Sequence, residues 1–404
     1  MAEQGPSLGW TGVSDKRSHY RLFSGYVLAL FATGVATVAL AFVAFDLAGD
    51  DSGAVIGTAL SIKMLAYVFV APVLTVLTER LPRRGFLIVL DLVRAGSLVT
   101  LPFVSEVWHV YLLVFVFASA SATFGFVYMA VVPYLLGNEE DYTRSLARSR
   151  IASEVEGPLS PLLAASLLLV TGMAGIFLIA AASFLLSAGL VRTAKLPRKT
   201  PTREGRLWQK LARGPRLFLS HPAFRAVLAF DVVAALGTAM VMVNTVVIVQ
   251  GVFDMQRDGS AFAFFAFGAG SVLGAVLMPL ALSLASEKRI MLLGSWLIAL
   301  ALLAGVLQST LAGLLALWIV LGFGVAWVLT PVAAVIRKTA PPADLQAMFA
   351  AQTVFANVCL LLAFPLAGWI GAEMGTTVAF AVLGLLCLAG LGAAHWLWRV
   401  SRAA

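Results

Sequence analysis

The sequence predicts an all-α integral membrane protein, with twelve transmembrane helices in two pseudo-symmetric six-helix bundles. Three observations predict it. Twelve apolar runs recur along the chain, each near or above the roughly 20 residues that cross the hydrocarbon of a bilayer. The 404 residues are 61% hydrophobic and only 12% charged, with a mean hydropathy of +0.96; a soluble domain carries about 25% charged residues. A strongly basic stretch at 192–225 divides the apolar runs six and six.

Residues 1–20 are polar and read as a cytoplasmic tail. The first apolar run, 22–47, is too long and wrongly flanked for a cleaved leader, so it is the first span, with Asp46 near its outer end. An acidic turn, Asp50–Asp51, leads to the second span at 54–77. The third and fourth follow at 86–104 and 108–136, then a polar loop at 137–144, then the fifth and sixth at 146–171 and 174–191. Between Arg192 and Arg225 lie ten Lys or Arg and a single acid, Glu204. Within this linker, 207–219 has the pattern of an amphipathic helix lying on the inner leaflet. Six further spans occupy 226–249, 260–284, 290–308, 311–336, 343–370 and 377–400. The expected organisation is a tail (1–20), a first bundle (21–191), a linker (192–225), a second bundle (226–400) and a short tail (401–404).

Charge sets the topology. The turns with Arg80, Arg83 and Arg84, with Arg144 and Arg148, with Lys288 and Arg289, and with Arg337 and Lys338 fall on one side, with both tails and the linker. The other side carries Asp50, Asp51, Glu106, Asp254, Asp258 and Glu373, with Arg257 as its one base. Basic loops stay in the cytoplasm, so both termini belong there. The bases sit between apolar spans, which excludes nucleic acid as a partner. No phosphate-binding Gly-Lys-Ser/Thr loop occurs, so nothing points to an enzyme or a nucleotide-driven pump. Cys359 and Cys387 lie inside apolar runs and form no metal knuckle or disulfide framework. His19, His109, His221 and His395 sit near span ends without ligand spacing, so no metal or other cofactor is expected.

Ionisable and polar residues inside the spans carry the functional signal, because a charge in the hydrocarbon needs a partner or a wet cavity. Lys63 lies about nine residues into the second span, roughly 13 Å deep. Asp46 is the nearest acid in sequence; either the two pair, or Lys63 faces a central cavity and serves an anionic substrate. Glu154 and Glu156 lie in the inner half of the fifth span. Two residues apart, they point about 200° from each other, so one of them at most faces the cavity squarely. Asp231 lies about nine residues into the seventh span, and Asn244 and Asn357 lie deep in the seventh and eleventh. Asp91 and Arg94 are spaced to share a helix face in the third span and to pair.

The two halves carry related segments. The stretch 133–144 after the fourth span and 331–346 after the tenth both start at a proline and enter an apolar helix with small residues. The basic turn at 79–84 has a reduced counterpart at 287–289.

The stretch 75–94, T-V-L-T-E-R-L-P-R-R-G-F-L-I-V-L-D-L-V-R, resembles the signature loop between the second and third helices of the major facilitator superfamily, Gly-x-x-x-Asp-Arg-x-Gly-Arg-Arg. Glu79 stands at the Asp, Arg80 at the Arg, and Arg83–Arg84 at the basic pair; Thr75 and Pro82 replace the two glycines. The resemblance implies two parallel six-helix repeats with the substrate near the midplane between them. It also implies a conformational latch built from Glu79, Arg80, Arg83, Arg84, Asp91 and Arg94. In the fifth span, Gly157-Pro158-Leu159-Ser160-Pro161 resembles the Gly-Pro-x-x-Gly-Gly element of proton-coupled antiporters through Gly157 and Pro158. Gly157, Pro158 and Pro161 are expected to kink that helix.

Three further stretches, Phe45-Asp46-Leu47-Ala48-Gly49, Ile62-Lys63-Met64-Leu65-Ala66-Tyr67 and Asp141-Tyr142-Thr143-Arg144, are similar to a bacterial efflux branch of nickel-resistance, siderophore and drug exporters. The chain ends Trp398-Arg399-Val400-Ser401-Arg402-Ala403-Ala404, without the His-rich tail of metal-handling members. The expectation is a monomeric secondary active transporter of the bacterial inner membrane, exporting a small molecule by alternating access in exchange for protons. Asp46, Lys63, Glu154, Glu156, Asp231, Asn244 and Asn357 are the candidate substrate and coupling residues. A divalent-metal or metal-chelate exporter is the alternative, and a non-transporting sensor or scaffold the second.

Overall fold

The computed structural model describes residues 15–78, 81–136, 139–196, 207–255, 257–341 and 344–403. Glu79 and Arg80 of the signature loop lie outside them. The first half runs α1 (Lys16–Ala48), α2 (Ser52–Leu65), a π-helical segment (Ala66–Val70), α3 (Ala71–Leu77), α4 (Arg83–Thr100), α5 (Val107–Leu135) and α6 (Glu139–Thr193). After the linker helix α7 (Leu207–Ser220) come α8 (Pro222–Val246), a second π segment (Val247–Val252), α9 (Arg257–Leu284), α10 (Glu287–Gly305), α11 (Leu311–Leu329), α12 (Val332–Thr339), α13 (Leu345–Met374) and α14 (Thr376–Ala403). Strands are absent among the described residues.

Two expected spans are fused in α6. At 55 residues it would be about 80 Å long if straight, far more than a bilayer. Gly172, at φ 66° and ψ −175°, breaks it. The chain doubles back there: Tyr26 of α1 bonds Ser153 of the first arm, while Gly25 beside it abuts Ser187 of the second. Among the described residues eleven helical stretches are long and apolar enough to span a membrane. The twelfth is the first arm of α6, because one stretch, Leu159–Thr193, runs through the break. The fold is therefore the expected all-α arrangement of twelve helices. Gly172's backbone angles are open essentially to glycine alone, so Gly172→Ala should cost about 1–3 kcal/mol. A lowered melting temperature, read by intrinsic fluorescence in detergent, checks this.

Local differences from the sequence reading have local causes. α6 begins at Glu139, so most of the expected loop at 137–144 is helix. The backbone dihedrals stay helical through Gly157, Pro158 and Pro161, since proline's fixed φ near −65° fits a helix, and the break at Gly172 falls in the turn expected between the fifth and sixth spans. In the second span the helix widens to π at Ala66–Val70, just before Pro72. Pro72 removes a backbone donor and its ring crowds the carbonyl one turn back, and a π turn relieves both. Thr330–Pro331 separates α11 from α12 within the tenth span. α7 forms as expected, but its described face packs on protein. A Cβ on Gly214 would lie 2.6 Å from the Ala347 carbonyl oxygen, and the buried Phe218 ring sits 5.0 Å from Phe224 and 5.3 Å from Phe355. Burying Phe218 between α8 and α13 removes it from water as fully as lipid would.

The halves meet along α2–α13, α6–α9 and α1–α8. Gly53 and Gly57 of α2 face Gly368 and Phe364 of α13 backbone to backbone, Phe42 of α1 meets the Phe264 ring of α9 at 5.9 Å, and Leu162 of α6 abuts Gly268 of α9. Thr58 accepts a bond from Trp369 Nε1 at 3.4 Å. These contacts run from mid-helix toward the ends that carry the Gly49–Asp51 turn and the Val247–Val252 π segment, opposite the first residues of α1 and the linker.

Candidate functional site

Inside the first bundle, polar side chains from α1, α2, α4 and α6 converge. Lys63 sits eleven residues past the start of α2, about 16 Å along its axis. Its ammonium donates to Thr37 Oγ1 of α1 at 2.6 Å. One turn earlier on α1, Gly34 clears space for the α6 pair in which Ser160 Oγ donates to Glu156 Oε1 at 3.0 Å. A Cβ on Gly34 would lie 2.0 Å from Ser160 Oγ and 2.2 Å from Glu156 Oε1, so only glycine admits the carboxylate this close to the α1 backbone. Lys63 and Glu156 lie within electrostatic reach of each other, and the Tyr67 hydroxyl lies within reach of Glu156, Tyr26 and Arg94. A cavity of about 20 Å³, enough for one water, touches Thr37, Lys63 and Ser97.

Asp46, the nearest acid to Lys63 in sequence, is exposed near the end of α1, nine residues beyond Thr37. The nearer acid is Glu156, from a span distant in sequence. Glu156 is half-buried. The side chains of Glu154, Gly157 and Pro158 lie outside the described residues, while Pro161 is buried.

Asp91 and Arg94 pair within α4, both at most 2% exposed. The Arg94 guanidinium lies 4.2 Å from the Phe124 ring of α5 and 4.5 Å from the Phe184 ring in the second arm of α6. Ser187 of that arm stands beside Asp91. All of these partners belong to the first bundle. The pair lies eight and eleven residues into α4, roughly 12 and 16 Å from its start, deeper than an end-of-helix latch would need. Arg83 is buried at the head of α4 and Arg84 donates to the Arg192 carbonyl.

In the second bundle, Gln352 Nε2 of α13 donates to Asp231 Oδ2 of α8 at 2.7 Å, both side chains buried. Cys359, two turns on along α13, is within electrostatic reach of Asp231. Asn244 Nδ2 bonds the Ala367 carbonyl at 3.2 Å and its Oδ1 points at Gly371, so Asn244 ties α8 to α13 beside the seam. Asn357 donates to the Thr353 carbonyl of its own helix at 2.9 Å. Among the described residues, no three His, Cys, Asp or Glu side chains converge as a metal site would require.

The structure thus brings Lys63 to Glu156 and leaves Asp231, Asn244 and Asn357 in the other bundle. Thr37, Tyr67, Ser160, Gly34 and Gln352 complete these groups and were not among the candidates read from the sequence. The signal that could have found three of them is a hydroxyl inside an apolar run; nothing local marks Gly34.

A family profile described as Major Facilitator Superfamily matches residues 22–288 and 233–404. No curated protein matches the sequence. Solved structures are similar over most of their length. The nucleoside transporter NupG has a TM-score of 0.73 at 14% identity, covering 94% of this chain and 99% of that one. A bacterial homologue of the human lysosomal transporter Spinster, inward-facing and occupied, has a TM-score of 0.70 at 13% identity, covering 96% and 97%. A POT family transporter in complex with a thioalcohol-conjugated peptide has a TM-score of 0.67 at 12% identity, covering 93% and 94%. At such identities these likenesses carry the fold alone. With profile matches that take in both bundles and a twelve-helix fold, the chain belongs to the major facilitator superfamily and is a transporter, not an enzyme.

Proposed function

We propose that this transporter is a proton-coupled exporter of a small molecule, in which Glu156 takes up the coupling proton and Lys63 is its counter-ion. The observation that carries the reading is the Lys63–Glu156 juxtaposition mid-bundle, on spans that also border the seam between the halves. A half-buried carboxylate beside one ammonium changes the local charge balance when it protonates, and that is a lever for moving helices. Export by exchange rests on the Gly157–Pro158 element. Asp231 with Gln352 is a second coupling acid on the other side of the seam. Both termini and the basic linker lie in the cytoplasm of a bacterial inner membrane, on the charge asymmetry of the loops. A seam closed at the opposite ends accords with an inward-facing conformer. Lys63 donates to Thr37 and has the Glu156 carboxylate within electrostatic reach, so it has a counter-charge within the protein and gives no reason to prefer an anionic substrate.

The test begins with thermal-shift binding of three probes, nickel ion, an iron–hydroxamate siderophore and ethidium, since a ligand of the folded state raises its melting point. A probe that binds then goes into proteoliposomes with and without a pH gradient. The expected result is gradient-driven flux that drops to the protein-free level in Glu156→Gln, with exchange at equal pH retained. Gradient-driven flux equal to wild type in both Glu156→Gln and Asp231→Asn would overturn the coupling assignment.

A further inference from the structure

Two side-chain hydrogen bonds tie α8 to α13. Gln352 Nε2 donates to Asp231 Oδ2 at 2.7 Å, and farther along both helices Asn244 Nδ2 donates to the Ala367 carbonyl at 3.2 Å. The contacts come in the same order on both helices, so the two run parallel. The first tie leaves something over. Asp231 is 2% exposed and Gln352 5%, yet Asp231 Oδ1 and Gln352 Oε1 have no hydrogen-bond partner among the described residues. Both are acceptors, and an acceptor buried unmet is costly. No Lys, Arg or His among the described residues forms an ion pair with Asp231, so an ionised carboxylate here would hold its charge in the span without a cation. Nor does a carboxylate that needs only a donor require glutamine. The amide brings its own oxygen along, and that oxygen is one of the two left unmet.

We propose that Asp231 and Gln352 form a carboxylic acid–amide clamp, closed by a proton on Asp231 Oδ1 that is donated to Gln352 Oε1, and that loss of this proton opens α8 from α13. The inference rests on the reading of Asp231 as a coupling acid. A primary amide and a carboxylic acid each offer one donor and one acceptor side by side. Paired face to face they make two hydrogen bonds. Nε2–H to Oδ2 is the first, and Oδ1–H to Oε1 is the second, which meets both remaining oxygens at once. Both oxygens are closed off from any space the size of a water, so the occupant between them is a proton, which needs no volume of its own. When the proton leaves to water, Oδ1 and Oε1 face each other with lone pairs alone and repel. Gln352 then turns away, and the tie at this depth is lost. Asn244 carries no proton-dependent group, so it still holds α13 at the seam. Phe218 of α7, packed between Phe224 of α8 and Phe355 of α13, holds them by apolar contact that a proton does not alter. The clamp is therefore the proton-sensitive one of these three contacts.

The titratable groups around Asp231 are few. Cys359 of α13 lies seven residues past Gln352, on the same face, within electrostatic reach of Asp231. Cys387 of α14 meets the Val233 carbonyl at 3.8 Å. Lys288 of α10 lies 5.7 Å from the Trp398 ring of α14, which meets the Phe230 ring at 5.9 Å. Arg225 of α8 and His395 and Arg399 of α14 are exposed, and α11 carries no ionisable residue. The purified full chain is read by infrared difference spectroscopy at neutral pH. The expected result is a protonated-carboxyl band that Asp231→Asn removes and that moves to higher wavenumber in Gln352→Met, where the O–H loses its acceptor. Asp231→Asn keeps the pair as two amides. Asp231→Asn combined with Gln352→Glu exchanges acid and amide at equal total length, should regain the band, and covers the case in which Gln352→Met does not fold. At a pH high enough to abolish the band, Cys359 in a Cys387→Ser background should react with a maleimide at least tenfold faster than when Asp231→Asn is added. A spectrum from which Asp231→Asn removes no band, a band that Gln352→Met leaves in place, or equal labelling rates would each overturn the clamp. A band that behaves as expected, with gradient-driven flux in Asp231→Asn equal to wild type, would uphold the clamp and overturn the coupling role of Asp231.

Discussion

Arg94→Ala is expected to destabilise the first bundle by about 3–5 kcal/mol, the usual consequence of removing one partner of a buried ion pair. The physical basis is the surroundings of Asp91. Its carboxylate is fully buried and its charge is met by Arg94 one turn on. Without Arg94, Asp91 must protonate or remain as an uncompensated charge among apolar side chains. The guanidinium adds a packing role: it fills the gap between Phe124 and Phe184, drawing α4, α5 and the second arm of α6 together. Arg94→Lys should therefore recover only part of the loss, because an ammonium lacks the planar surface that lies against two rings. Asp91→Leu combined with Arg94→Met removes both charges and should restore most of the melting temperature, since apolar replacements of a buried pair are often neutral. Thermal melting in detergent reads all three. An Arg94→Ala variant as stable as wild type would show that the pair is not the internal staple described here. A shift confined to conformational labelling, with no change in melting, would instead favour a latch between the halves.

Gly368→Val should shift the balance between conformers rather than unfold the protein. A Cβ at 368 would sit 2.3 Å from the Gly53 carbonyl oxygen across the seam, and one at Gly57 would sit 2.6 Å from the Phe364 carbonyl oxygen. Backbone cannot yield as a flexible side chain does, so α2 and α13 must part by a fraction of an ångström or more. Overpacking of this size costs about 1–3 kcal/mol, or roughly fivefold to 150-fold in a two-state ratio. The cost falls on the conformer in which these ends touch; a conformer open at that end escapes it. Asn244, which holds Ala367 against α8, keeps α13 from yielding. A cysteine placed at Phe42, whose ring meets Phe264 across the seam, should react with a maleimide faster in Gly368→Val and in Gly57→Ala. Labelling at the wild-type rate in a folded Gly368→Val variant would show that the seam does not govern access from that side.

Much of the architecture was legible in the sequence because a bilayer imposes a local rule. Each span must supply its own run of apolar residues and satisfy its own backbone, so twelve helices and the basic linker could be read off one segment at a time. The Asp91–Arg94 pair was legible for the same reason: its members are three residues apart on one helix. Lys63 was legible as a problem, a charge in an apolar run, but its solution was not. Asp46 is closer in the chain, yet it sits at the end of α1, while Thr37 and Glu156 share the depth of Lys63. Depth and helix rotation decide such pairings, and neither is written in sequence distance.

The sequence by itself determined the fold class, the division into halves and which residues must be special for lying inside the membrane. Hydrophobic burial and charge are properties of short segments, and they survive without knowledge of neighbours. Only the tertiary structure decided that Glu156 is the acid beside Lys63, that Asn244 braces the seam, and that α7 packs on α13. It also decided that Tyr26 of α1 and Tyr128 of α5 stack and bond Ser153 and Ser149 of α6. Glycines let these groups close up: Gly34 admits Glu156 against α1, Gly371 faces Asn244, and Gly214 brings α7 against α13. Where two helix faces meet is set by packing across the whole bundle, and no single span encodes it.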